Sequence, residues 1–189
     1  MNQRILAFDP EQNCRMFCHP IQTGLGQVSV RPIGPADAGL VQAFVVSLSG
    51  TSRYFRFFQA LKSLSPAMLD RFTRVDHADQ IALVGVAMHR GAATIVAEAR
   101  FAMLDDGVSA DIAISVADPW QRRGIATALL TMLERIAGAT GVGRLTGESF
   151  AVNEAFLQLA RSAGFRVRPA SDDRSLMRID KQVDGVFFW

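Results

Sequence analysis

The segment Val116-Ala117-Asp118-Pro119-Trp120-Gln121-Arg122-Arg123-Gly124-Ile125-Ala126-Thr127 leaves an alternating apolar run and enters a helix-forming stretch. A strand that turns tightly into a helix at a glycine brings backbone close to whatever binds there. Gly124 and the small Ala126 remove side chains from that approach, and the unpaired amides of the helix's first turn present donors and the positive end of the helix dipole. Arg122 and Arg123 add cationic side chains, so the spacing suits a pyrophosphate. A Walker A loop needs a Lys-Ser/Thr pair after its second glycine, and a dinucleotide fold needs Gly-x-Gly-x-x-Gly after its strand; neither pattern occurs. Gly138-Ala-Thr-Gly141-Val-Gly143 closes a helix and does not open one.

Upstream, residues 81–88, 94–104 and 109–116 are strand-like runs joined by the turn signals His89-Arg-Gly91 and Asp105-Asp-Gly107, which predicts an antiparallel meander. Before it, Gln27 to Ile33 alternates as a strand, and Leu40, Val41, Phe44, Val45 and Leu48 follow helical spacing until Gly50. Thr51 or Ser52 is the predicted cap of a second helix carrying Tyr54, Phe55 and Phe58. Ser65-Pro66 opens a third through Met68, Leu69 and Phe72. Helical spacing accounts for these aromatics as core residues, a reading favoured over one in which they line an acceptor site. Downstream, Ile125, Leu129, Met132, Leu133 and Ile136 mark one face of a helix over 124–140, followed by a strand at 144–149, a helix at 153–163 and a last strand near 175–181. The order predicts a mixed α/β class in one domain over 27–189, with residues 1–26 as an amino-terminal extension dispensable for the site.

The chain has 189 residues, 49% hydrophobic and 20% charged, enough for one core and short for two enzymatic domains. Twenty basic against eighteen acidic residues give a net charge of +2, which argues against a nucleic-acid partner. The amino terminus lacks the layout of a secretory signal, and the longest uncharged apolar run is too short to cross a bilayer, so a cytoplasmic protein without a membrane partner is expected. Cys14, Cys18 and His19 fall short of a four-ligand metal set, so reduced thiols and no metal are expected.

Gln121-Arg122-Arg123-Gly124-Ile125-Ala126 resembles the Gln/Arg-x-x-Gly-x-Gly/Ala acyl-CoA loop of the GNAT N-acyltransferase superfamily, and the preceding strand, following helix and downstream Asn153 to Phe165 match its context. The resemblance covers about residues 27–181. It implies a twisted, mostly antiparallel sheet splayed between two central strands, with acetyl-CoA as co-substrate and an amine as acceptor. It also implies cofactor contacts at Gln121, Arg122, Arg123, Gly124, Ile125, Ala126 and Thr127, and along the strand edge that includes Ile114, Ser115 and Val116. Asn153 either contacts the cofactor or caps its helix, and capping is the simpler role. Tyr54-Phe-Arg-Phe-Phe58, Leu69-Asp-Arg-Phe-Thr73, Ile81-Ala-Leu-Val84, Trp120-Gln-Arg-Arg-Gly124 and Gly147-Glu148 are similar to the bacterial protein-lysine acetyltransferase branch, which implies a lysine acceptor.

An ammonium with a pKa near ~10.4 must lose a proton before it attacks a thioester. The resemblance puts the branch's basic glutamate at Asp111, one methylene shorter here; Glu98 and Glu148 are the alternative carboxylates. The superfamily's frequent tyrosine acid falls on Ala160, and Tyr54 is the chain's one tyrosine. Neither cysteine lies in the acyl-binding region, so direct transfer in a ternary complex is expected. Transfer to a polyamine or aminoglycoside and a catalytically weak CoA sensor are the competing functions. Phe187-Phe188-Trp189 either docks on its own domain or pairs two subunits as a homodimer.

Overall fold

A computed structural model describes residues 16–89 and 91–184. Its strands are β1 (Ile21–Thr23), β2 (Gly26–Pro32), β3 (Gln80–His89), β4 (Ala92–Met103), β5 (Ser109–Val116), β6 (Arg144–Phe150), β7 (Arg166–Pro169) and β8 (Leu176–Gln182). The helices are α1 (Ala38–Ser47), α2 (Gly50–Phe57), α3 (Pro66–Thr73), α4 (Ile125–Ala139) and α5 (Glu154–Ser162). The strands form one sheet ordered β1-β2-β3-β4-β5-β6-β8-β7. Every pairing is antiparallel except β5 with β6.

Alternation along the central strands divides the interior in two. On one face Ile81 and Leu83 of β3 join Phe101 of β4 and the fully buried Leu129, Met132, Leu133 and Ile136 of α4. On the other, Ala82 and Val84 meet Ile95 and Val41, Phe44 and Val45 of α1. The α4 residues are those whose helical spacing is visible in the sequence; each buried one stabilises the fold by ~1.5–3 kcal/mol.

The parallel junction is short. β5 and β6 pair only at Ser109 with Arg144, Ala110 with Leu145 and Asp111 with Thr146, after which the strands diverge. Gly147 stands at the divergence, where a Cβ would come within 3.2 Å of the Ile112 carbonyl oxygen. A glycine there lets β6 pass close to β5 before the fork opens.

Several boundaries differ from the sequence expectations. The ordered unit begins before Gln27: β1 pairs with β2, and Phe17 and Ile21 are buried in the α4 core. An isolated three-residue strand with one apolar side chain leaves almost no periodicity to read. Ser49, not Thr51 or Ser52, caps α2 by accepting from the Ser52 amide, and Gly50, expected to close α1, opens α2 instead. β7 was not anticipated, because a four-residue edge strand carrying two arginines and a proline lacks an apolar pattern. Cys14 and Phe187 to Trp189 lie outside the described residues. Among the described residues no helix is long and apolar enough to cross a membrane, and no cluster of metal-ligating side chains occurs.

Candidate active site

The fork between β5 and β6 opens into a cleft of about 1220 Å³. Its walls come from β5, the loop into α4, the far half of β6, α5 and α2. The loop is shaped by its backbone. Gly124 has φ +78° and Arg122 φ +61°, both left-handed, and a Cβ on Gly124 would meet nothing within 4 Å. The glycine is therefore required by its backbone angle, since the protein leaves the space beside it empty. Left-handed backbone at a residue with a side chain, as at Arg122, is costly and clusters at ligand sites.

No side chain caps α4, and its first intrahelical bond runs from the Ala128 amide to the Gly124 carbonyl at 3.0 Å. The amides of Ile125, Ala126 and Thr127 thus precede the helical ladder at the cleft wall, an anion-binding arrangement. Gln121 donates to the Val116 carbonyl at 3.0 Å and to Ser52 Oγ at 3.4 Å, tying the loop to the end of β5 and to α2. Ile114, Ser115 and Val116 line the cleft, and Ser115 Oγ is buried without a hydrogen-bond partner. Arg122 lines it too. Arg123 does not; it donates to the Pro119 carbonyl at 3.2 Å, and its guanidinium packs against Gly24 in the β1–β2 turn. Asn153 borders the cleft and accepts from the Phe156 amide at 3.4 Å, so it does cap α5.

The three strand carboxylates have separate surroundings. Glu98 is 2% exposed and bridged by Arg56 at 3.2 Å and by Arg100. Burial pushes its carboxyl pKa up, but the Arg100 and Arg56 guanidiniums outweigh burial and hold it below the ordinary value. Glu98 is outside the cleft lining and has both oxygens committed. Glu148, at the cleft rim, bonds Arg178 at 3.0 Å. Asp111 is the last β5 residue paired to β6, at the apex of the fork. Among the described residues no hydrogen bond or ion pair closes on it. Partial burial, reinforced by the Glu148 charge and opposed by Arg56, raises its carboxyl pKa to about 6.

The aromatics of α2 are not the core residues that their spacing suggested. None of the helix's residues is buried, and Phe55 and Phe58 line the cleft. One face of α2 meets the open fork, which a single helix's pattern cannot reveal. Tyr54 is 44% exposed and outside the cleft lining, and Ala160 is buried under α5, so neither supplies an acid there.

The sequence model of the GNAT acetyltransferases matches residues 52–165, more than half the chain and the whole stretch from α2 to the end of α5. The chain belongs to the GNAT acetyltransferase family. It is accordingly an acyl-CoA-dependent N-acetyltransferase, with acetyl-CoA as co-substrate and an amine as acceptor. Its GNAT fold superposes on the crystal structure of the GNAT domain of S. lividans PAT with TM-score 0.78 and 26% identity, over 88% of this chain and 97% of that one. The chain is 28% identical over 146 residues to acetyltransferase PA5475 of Pseudomonas aeruginosa, covering 77% of this chain and 78% of that protein. It is 30% identical over 148 residues to acetyltransferase Pat of Mycolicibacterium smegmatis, covering 77% of this chain but spanning only 43% of that protein. The similarities thus run to Pat-type GNAT enzymes.

Proposed function

We propose that this GNAT enzyme transfers the acetyl group of acetyl-CoA to a protein lysine side chain, with Asp111 as general base. The observation that carries the reading is Asp111 at the apex of the fork, open to the cleft, its carboxylate uncommitted and its pKa raised to about 6. A carboxylate tuned there is deprotonated at neutral pH yet more basic than an ordinary aspartate. Glu98, locked between two arginines, is a poor base, and Glu148 stays as a second carboxylate at the rim. Together Asp111 and Glu148 draw a cationic amine into the cleft.

The residues fit acyl-CoA. Ile125, Ala126 and Thr127 present amides for the pyrophosphate, Gly124 leaves the approach open, and Arg122 adds charge at the cleft wall. Ile114, Ser115 and Val116 form the β5 edge along which the pantetheine chain runs, with Gln121 bracing that edge. Arg123 acts as a brace for the loop from behind. Asp111 takes the ammonium proton, the neutral nitrogen forms the amide bond as the C–S bond breaks, and water protonates the departing thiolate. Likeness to Pat-type enzymes supports lysine as acceptor.

Release of free CoA thiol, compared across lysine peptides, polyamines and aminoglycosides, tests the reading. A kcat/KM highest for lysine peptides supports it. Preference for a polyamine or aminoglycoside sinks the lysine assignment, and tight acetyl-CoA binding without turnover on any amine makes the chain a CoA sensor.

A further inference from the structure

Helix α2 bridges the open fork without entering either core. At its amino end, Asp118 accepts hydrogen bonds from the Ser49 amide and from Ser52 Oγ, both at 2.9 Å. At its other end, Tyr54 and Phe58 stack on Phe150 with ring centroids 4.9 and 4.8 Å away, and Phe55 tilts against the same ring at 5.9 Å. Asp118 follows β5 and Phe150 ends β6, so the helix is fastened to both arms of the fork. Beneath it, Arg56 reaches Glu98 on β4. Phe55, Phe58 and Ser149 line the same cleft as Asp111 and Glu148.

We propose that the Tyr54–Phe150–Phe58 stack is a clasp that holds α2 across the acceptor end of the cleft and restricts acceptors to slender, unbranched alkylammonium chains. The inference rests on the lysine reading and names what selects it. Tyr54 and Phe58 lie one helical turn apart, so both rings meet Phe150 from one helix face. The apolar sides of Phe55 and Phe58 suit a run of methylenes, while Asp111 and Glu148 suit the ammonium at its end. A branched or hydroxylated amine would press polar groups against the rings with no hydrogen-bond partner, which is costly. Opening the clasp removes that discrimination.

The test compares kcat/KM for a lysine peptide and an aminoglycoside in the wild-type chain and in Phe150→Ala, Phe58→Ala and Phe150→Tyr. The lysine-to-aminoglycoside ratio is expected to fall about tenfold or more in both alanine variants, the scale on which a reshaped apolar pocket discriminates. Acetyl-CoA KM should stay unchanged, and Phe150→Tyr should keep the wild-type ratio. An unchanged ratio in the folded alanine variants overturns the clasp and leaves the lysine reading standing. A wild-type preference for the aminoglycoside overturns both. Acetyl-CoA KM rising in step with the loss places the aromatics on the donor side and also overturns the clasp. If Phe150→Ala does not fold, Phe58→Ala decides, since the Phe58 ring is already 42% exposed.

Discussion

Asp111 and Glu98 are both acids on central strands, yet only one has its charge committed. Asp111→Asn keeps the shape and removes the basicity, so kcat should fall about 100-fold or more with acetyl-CoA affinity nearly unchanged. Near-normal turnover on the best acceptor would move the role to Glu148 or to a water relay. The pH dependence follows from the raised pKa. A base that works deprotonated gives a rate that rises as pH climbs through about 6 and then levels. Because Glu148 contributes to that rise, Glu148→Gln should lower the Asp111 pKa and move the acidic limb of kcat/KM to lower pH; a limb that stays in place would separate the two carboxylates. Folding stability has the opposite sign. With the folded pKa above the unfolded one, the unfolded chain releases the proton first, so stability declines as pH rises from roughly 4 to 6, a decline absent from Asp111→Asn. The carboxylate's place on the strand was legible from the sequence, but the Arg56–Glu98 pairing that disqualifies its rival was not. Those residues stand 42 positions apart, and nothing local marks them as partners.

At the scale of elements, the same ion pairs clamp helices onto the sheet. Arg56 comes from α2, and Arg100 also donates to the Phe72 carbonyl of α3 at 3.2 Å while its guanidinium lies 3.7 Å from the centre of the Phe72 ring. Glu98→Gln leaves two largely buried guanidiniums facing a neutral amide, and should cost about 3–5 kcal/mol in urea unfolding. A loss under about 1 kcal/mol would mean that the clamp is loose in solution. The meander and the α4 face were readable because their periodicities are long and regular. β1 and β7 were not, having three and four residues. Deleting residues 1–26 removes Phe17, Ile21 and the Gly24 turn against Arg123, so the truncated chain should melt at lower temperature and bind acetyl-CoA more weakly. An unchanged melting temperature would restore the dispensable extension that the sequence suggested.

For the molecule as a whole, the three-pair parallel junction has a dynamic consequence. Everything after α4 is held to the earlier sheet by that seam, α4 and the clasp on Phe150, whereas β3 and β4 pair along ten positions with one irregularity between Gly85 and Val86. Regions with few shared contacts open as units of low local free energy. Amide hydrogen exchange should therefore separate two blocks, with β6 and β8 exchanging through a sub-global opening and β3 and β4 protected up to global unfolding. Acetyl-CoA, by occupying the fork and touching both arms, should slow exchange in the weaker block in proportion to its saturation, coupling donor binding to the rigidity of the acceptor wall. Uniform protection across both blocks in the free protein would mean that the short seam joins them into one cooperative unit.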